Sequence, residues 1–253
     1  MFKNIIVRKP GRSMIDGISN AKLGKPDFKN ALIQHENYIK IMEFCHVNAD
    51  IIDADEHYPD STFIEDTAVL SEKVAIITNP GIESRKGEEK EILKSIKKYY
   101  KNIEHIKAPG TCEGGDVMRV KDHFYIGLSD RTNPEGAEQL INLLQKYGYT
   151  GSTVEMNEML HLKTGLSYLE NNNLLVAGEF INNPDFKNFN RIIIPKEENY
   201  AANSIWVNDI VIVPAGFPKT ERRVKDAGYK TVTVNISEFR KLDGGLSCLS
   251  LRF

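Results

Sequence analysis

Four times along the chain a short run of alternating apolar residues meets a polar turn and is answered by a second apolar run. Residues 65–70 and 74–77 flank Ser71-Glu72-Lys73, and residues 116–120 and 124–127 flank Lys121-Asp122-His123. Residues 166–169 and 174–177 flank Glu170-Asn171-Asn172-Asn173, and residues 203–207 and 210–213 flank Asn208-Asp209. Period-two alternation bounded by Asn, Asp, Glu, Lys and His predicts a hairpin in each case.

Anchored at Asp66, Asp116, Gly165, Asn203 and Gly245, the copies recur at steps of 50, 49, 38 and 42 residues, in or near the range of propeller and solenoid arrays. The fifth copy is cut short. Its 246–253 run reads as a strand without a return, and Ile5-Ile6-Val7 is the candidate to complete it, closing a ring through the two ends. Helical spacing fills the gaps: residues 28–45, residues 88–100 with Ile92, Leu93, Ile96 and Tyr100 on one face, a helix capped by Asn133 that carries Leu140, Leu143 and Leu144, and residues 220–227 stopped by Gly228. These elements predict an α/β fold over residues 1–253, a single domain of five ββα-type repeats about a pseudo-five-fold axis.

Such a ring carries a chemical consequence. If each first strand starts at the central channel, then Glu65 and Asp66, Glu113 and Asp116, His161, and Cys248 converge there, giving a carboxylate-lined pocket with one thiol and one imidazole. A single Cys and a distant His form a candidate nucleophile and base. Gly244-Gly245 ahead of Cys248 allows a close backbone approach or a positive φ. Each residue also has an ordinary structural reading. Free cysteine is commonly buried, His161 lies between leucines, Asp66 can open a turn, and Arg85 and Arg131 can be surface charge. Cys45, on the apolar face of a helix, and Cys112 read as core.

With 41% apolar and 27% charged residues the chain can bury a large core, and its net charge of −2 without a basic run argues against a nucleic-acid partner. Three cysteines provide neither a disulfide framework nor a compact metal spacing. The amino-terminal residues lack an apolar run of signal-peptide length, so the expected setting is cytoplasmic with no membrane association.

Acidic residues around a thiol suit a cationic electrophile, and a guanidinium fits because carboxylates accept its N–H bonds in pairs. Phe63-Ile64-Glu65-Asp66, Glu83-Ser84-Arg85-Lys86-Gly87-Glu88, Glu113-Gly114-Gly115-Asp116, His161-Leu162-Lys163-Thr164-Gly165 and Asp243-Gly244-Gly245-Leu246-Ser247-Cys248 closely resemble the motifs of the dimethylarginine dimethylaminohydrolases, members of the pentein (guanidino-group-modifying) superfamily. The resemblance runs through the whole chain in order. It implies a five-fold α/β propeller that converts Nω-methylated arginines to citrulline through a covalent thiouronium, acting as a monomer or homodimer without a cofactor. Cys248 would be the nucleophile and His161 the acid and base, with Glu113 orienting the imidazole or holding the guanidinium side. Asp66 would grip the guanidinium nitrogens, Arg85 and Arg131 would hold the α-carboxylate, and Ile18, Asp60, Glu65 and the Leu242 carbonyl match positions around the substrate.

Three alternatives stand beside it. Arginine deiminases share ring, thiol and histidine, but typically carry an aspartate two residues after the histidine, where this chain has Lys163; that exchange favours methylated arginines over arginine. Amidinotransferases usually run longer. Non-catalytic penteins that bind ribosomal subunits would have no need of Cys, His and Glu at the channel. Zinc is expected at most as an adventitious inhibitor, because the candidate ligands come from separate repeats.

Overall fold

The computed structural model describes residues 1–253 and arranges them in five three-stranded sheets. β1 (Asn4–Arg8) is followed by α1 (Phe28–Phe44), which crosses to β2 (Asn48–Ile52), parallel to β1. The next unit is β3 (Ala68–Leu70), β4 (Ala75–Ile77), α2 (Glu89–Ile96) and β5 (Ile103–His105). The third is β6 (Val117–Val120), β7 (His123–Leu128), α3 (Pro134–Gln145) and β8 (Thr150–Glu155). A single turn, α4 (Leu162–Gly165), leads into β9 (Leu166–Tyr168), β10 (Asn173–Val176) and β11 (Asn190–Ile193), where two 3-10 turns replace the crossover helix. β12 (Ile205–Val207), β13 (Ile210–Pro214), α5 (Pro218–Asp226) and β14 (Lys230–Val234) complete the fifth unit. After α6 (Ser237–Arg240), β15 (Leu251–Arg252) pairs antiparallel with β1, setting Ile5 opposite Arg252 and Ile6 opposite Leu251.

The closure through the two ends is therefore as the hydrophobic pattern predicts. Every unit has one antiparallel and one parallel pair about its central strand, so the repeat is ββαβ, one strand richer than the ββα expected. The third strands leave little trace in the pattern because they are half-exposed edges: Thr150–Glu155 buries only Val154, and Lys230–Val234 only Val234. First strands of neighbouring units lie together, β15 against β3, β6 against β9 and β9 against β12, as a ring requires.

Helices clamp the sheets from outside. Ile92 and Ile96 of α2 pack on Ile6, Ile64, Ala75, Ile77 and Leu251, and Ala137, Leu140 and Leu144 of α3 pack on Val74, Phe124 and Ile126. Each fully buried Ile or Leu contributes roughly 1.5–3 kcal/mol. Asn133 caps α3 by accepting from the Gly136 N–H at 2.8 Å.

The channel entrances depart from the sequence expectation. Short helical turns stand where strands were expected to begin: Ile64–Thr67, Gly114–Asp116, α4, Lys196–Ala202 and Ser247–Leu249. Cys248 is the centre of a 3-10 turn, and only Leu251–Arg252 of the 246–253 run is strand. The turn forms because side chains serve its backbone where a ladder would otherwise do so: Asn203 Oδ1 accepts from Ser247 N–H at 2.8 Å and Tyr38 Oη donates to Leu246 O at 3.1 Å.

Candidate active site

Glu113 is wholly buried and its two oxygens face different partners. Oε2 lies 3.0 Å from His161 Nε2, while Oε1 accepts from Gly81 N–H at 3.1 Å and lies 3.5 Å from Arg131 Nη1. Burial alone would lower the imidazole pKa, but the carboxylates of Asp66, Asp116 and Glu113 outweigh it and raise it to about 9. Two glycines in Glu113-Gly114-Gly115-Asp116 are required for this approach. A β-carbon on Gly115 would sit 2.6 Å from His161 Nδ1 and 2.9 Å from Asp66 Oδ1, and one on Gly114 would collide with the Glu65 carbonyl.

Asp66 is held from both sides. Oδ1 accepts from Gly115 N–H at 2.8 Å, and Oδ2 from Arg85 Nη1 at 2.6 Å. Burial opposes its charge, yet His161, Arg85 and the Gly115 amide keep the carboxyl below its usual range. Arg85 is buried, not a surface charge. Its Nε and Nη2 form a fork on Glu88 at 2.8–3.2 Å, and Nη2 also donates to the Phe63 carbonyl at 2.9 Å. Most of its donors are thus already engaged, and Arg131 is the partly exposed member of the arginine pair.

The thiol receives the Gly245 N–H at 3.3 Å. Neither Gly244 nor Gly245 has a positive φ; that falls on Asp243 at 59°, and a β-carbon on Gly245 would come within 2.5 Å of the Asn203 amide. The two glycines therefore serve close approach. Burial, then the charges of Glu65 and Asp66, push the Cys248 thiol up to about 12, against the Gly245 amide and the Lys163 ammonium.

Glu65 turns the other way from Asp66. It takes Lys163 Nζ at 2.5 Å, Arg252 Nη2 at 3.2 Å and Ser247 Oγ at 2.6 Å. Asn203 joins this floor through Ser247 and the Lys163 carbonyl. Beyond the floor lies a funnel of about 780 Å3 that reaches Glu65, Lys163, Ser247 and Arg252 but none of Cys248, His161, Glu113 or Asp66.

Ile18, Asp60 and Leu242 meet at the strap formed by residues 11–24. Ile18 N–H donates to Asp60 Oδ1 at 3.1 Å, and a β-carbon on Gly17 would touch both Asp60 and Leu242. The strap is tied down at further points: Glu56 accepts from the Arg12 and Ser13 amides, and Ser19 Oγ donates to the Lys241 carbonyl. Cys45 and Cys112 are buried in the core. Asp66, Glu113 and His161 offer donor atoms within 4.8 Å of one another. Those atoms are committed to each other and to Arg85, Gly81 and Gly115, an arrangement suited to moving protons. Ser247 and Asn203 lie outside the site residues to which the sequence points, since an isolated hydroxyl or amide carries no periodic signal.

A family model described as N,N dimethylarginine dimethylhydrolase, eukaryotic, matches residues 19–246. The N(G),N(G)-dimethylarginine dimethylaminohydrolase of Pseudomonas aeruginosa is 53% identical over the full length of both chains. Two solved structures of such proteins, each 53% identical and covering all of both chains, superpose with a TM-score of 0.99: a serine-for-cysteine mutant from Pseudomonas aeruginosa complexed with citrulline, and a glycine-for-histidine variant in an adduct with S-methyl-L-thiocitrulline. With sequence and backbone matched from end to end, the chain belongs to the dimethylarginine dimethylaminohydrolase family.

Proposed function

We propose that this protein hydrolyses Nω-methylated arginines to citrulline and a methylamine, with Cys248 as nucleophile and His161 as acid and base. The observation that carries the reading is a carboxylate-bound imidazole beside a buried, doubly held Asp66, whose charge acts on both His161 and the Cys248 thiol. Citrulline in the Pseudomonas aeruginosa relative supports the product class.

In this mechanism the guanidinium docks against Asp66, and its positive charge offsets the burial and the carboxylates that oppose ionisation of Cys248. As the guanidinium docks, the Cys248 thiol gives up its proton to solvent; the thiolate then forms a C–S bond to the guanidinium carbon, and the C–N bond to the substituted nitrogen breaks as His161 gives that nitrogen a proton. A thiouronium remains on Cys248. Water then attacks the same carbon, His161 takes its proton, and the C–S bond breaks to release citrulline and the thiol. Glu113 fixes the ring at 3.0 Å and keeps the imidazolium favoured. Arg131, with part of its side chain accessible, is the better placed of the two arginines for the substrate carboxylate, while Arg85 orients Asp66.

Parallel incubations with arginine, monomethylarginine and dimethylarginine test this, with citrulline and the released amine both measured. The methylated substrates are expected to show the higher kcat/KM. Arginine turned over at least as efficiently would make the protein a deiminase instead.

A further inference from the structure

Asp116 is completely buried, and neither Lys nor Arg donates to it. Its hydrogen bonds come from Ser129 Oγ and Thr132 Oγ1, both 2.7 Å from Oδ2, and from the Leu162 N–H, 3.1 Å from Oδ1. Leu162 directly follows His161 and opens α4. Thr132 Oγ1 in turn accepts from the Glu113 N–H at 3.1 Å. One carboxylate thereby links the segment carrying the imidazole to the segment carrying its carboxylate partner. We propose that Asp116 is a positioning residue for the acid–base pair, pinning the Glu113 and His161 segments together and placing behind the ring a carboxylate that no guanidinium or ammonium neutralises.

Asp66, Glu113 and Asp116 act on the ring. Asp66 is neutralised by Arg85 at 2.6 Å, and Glu113 faces Arg131 at 3.5 Å. Lys163, next but one to His161, is spent on Glu65, and Cys248, in the turn ahead of β15, stands as a neutral thiol. Asp116 alone of the three carboxylates has hydroxyl and amide partners but no guanidinium. A buried carboxylate without a cation is costly. The imidazolium is the cation that offsets it: burial raises the Asp116 pKa, and the His161 charge opposes that rise.

The inference rests on the reading of His161 as acid and base, and its test is arranged to stand apart from that reading. The His161 ring is titrated by NMR in substrate-free protein with labelled histidine, the resonance being assigned by its loss in His161→Gln. Asp116→Asn keeps the shape and removes the charge; its His161 midpoint is expected to fall by about one unit or more. Its kcat should fall about tenfold or more with KM changed less than about threefold, because general acid–base catalysis contributes to chemistry and not to uniform binding. Ser129→Ala removes one of the donors that offset the Asp116 charge and should move the midpoint the opposite way, upwards, by less. An unmoved midpoint in Asp116→Asn, whatever its activity or Tm, overturns the proposal. If that variant does not fold, Ser129→Ala decides alone: a raised midpoint supports the proposal, and an unmoved or lowered one overturns it. A Cys248→Ser variant with full activity would defeat the catalytic reading without touching the titration.

Discussion

A thiol held to about 12 by burial and two carboxylates stays protonated at neutral pH until a cation reaches it. Alkylation of Cys248 by iodoacetamide in the free protein should therefore accelerate with pH past 9 without levelling off, since the reactive form is the thiolate. A plateau near neutrality would mean the ion pair is already formed. Cys248→Ser should retain the circular dichroism spectrum and lose turnover altogether; citrulline formation at the normal rate would remove Cys248 from the mechanism. Gly115→Ala is predicted to be nearly as damaging as loss of His161, because its methyl would stand 2.6 Å from the imidazole. Activity assays and a melting curve separate a displaced ring from a lost fold.

At the scale of elements, two short pieces of chain decide the site. β15 holds Leu251 against β1 and brings Arg252 onto Glu65, and the 3-10 turn bearing Cys248 ends directly before it. Truncation after Ser250 should lower Tm and abolish turnover together, whereas loss of activity at unchanged Tm would show that the terminal strand matters only locally. α4 and the His161 that caps it send His161 and Lys163 in opposite senses, towards Glu113 and towards Glu65. Comparison with deiminases makes Lys163→Asp look like a route to arginine specificity. The structure argues otherwise, because the new carboxylate would face buried Glu65 in place of an ammonium 2.5 Å away. Breaking such a pair costs about 3–5 kcal/mol, so urea denaturation of Lys163→Asp should show a large loss of stability and kinetics no gain for arginine.

For the whole molecule, the buried charge cluster couples folding to pH. The His161 pKa rises from 6.5 to about 9 on folding. Its contribution is fully present below pH 6.5 and is lost as pH climbs through 9, because the folded state binds the proton more tightly. Unfolding free energy should decline across that window by on the order of a few kcal/mol, and His161→Gln should flatten the decline. An identical slope in the two proteins would mean that other groups set it.

Local pattern alone determined the four hairpins, the four longer helices and the closure of the ring by Ile5-Ile6-Val7, because period and turn chemistry are properties of neighbouring residues. Repeat spacing also leads to the expectation that Cys248, His161, Glu113 and Asp66 share one axis. Only the tertiary structure decided which way each side chain turns there. Glu65 and Asp66 are adjacent in sequence, yet one closes the floor with Arg252, 187 residues away, and the other joins Gly115 and Arg85. Arg85 became a buried partner of Asp66, and Asp116 a bridge between two segments, through contacts between residues far apart in the chain. The tight turns at the channel mouth have the same origin. Their backbone bonds are satisfied by side chains from distant repeats, such as Asn203 and Tyr38, and those partners exist only once the ring has closed.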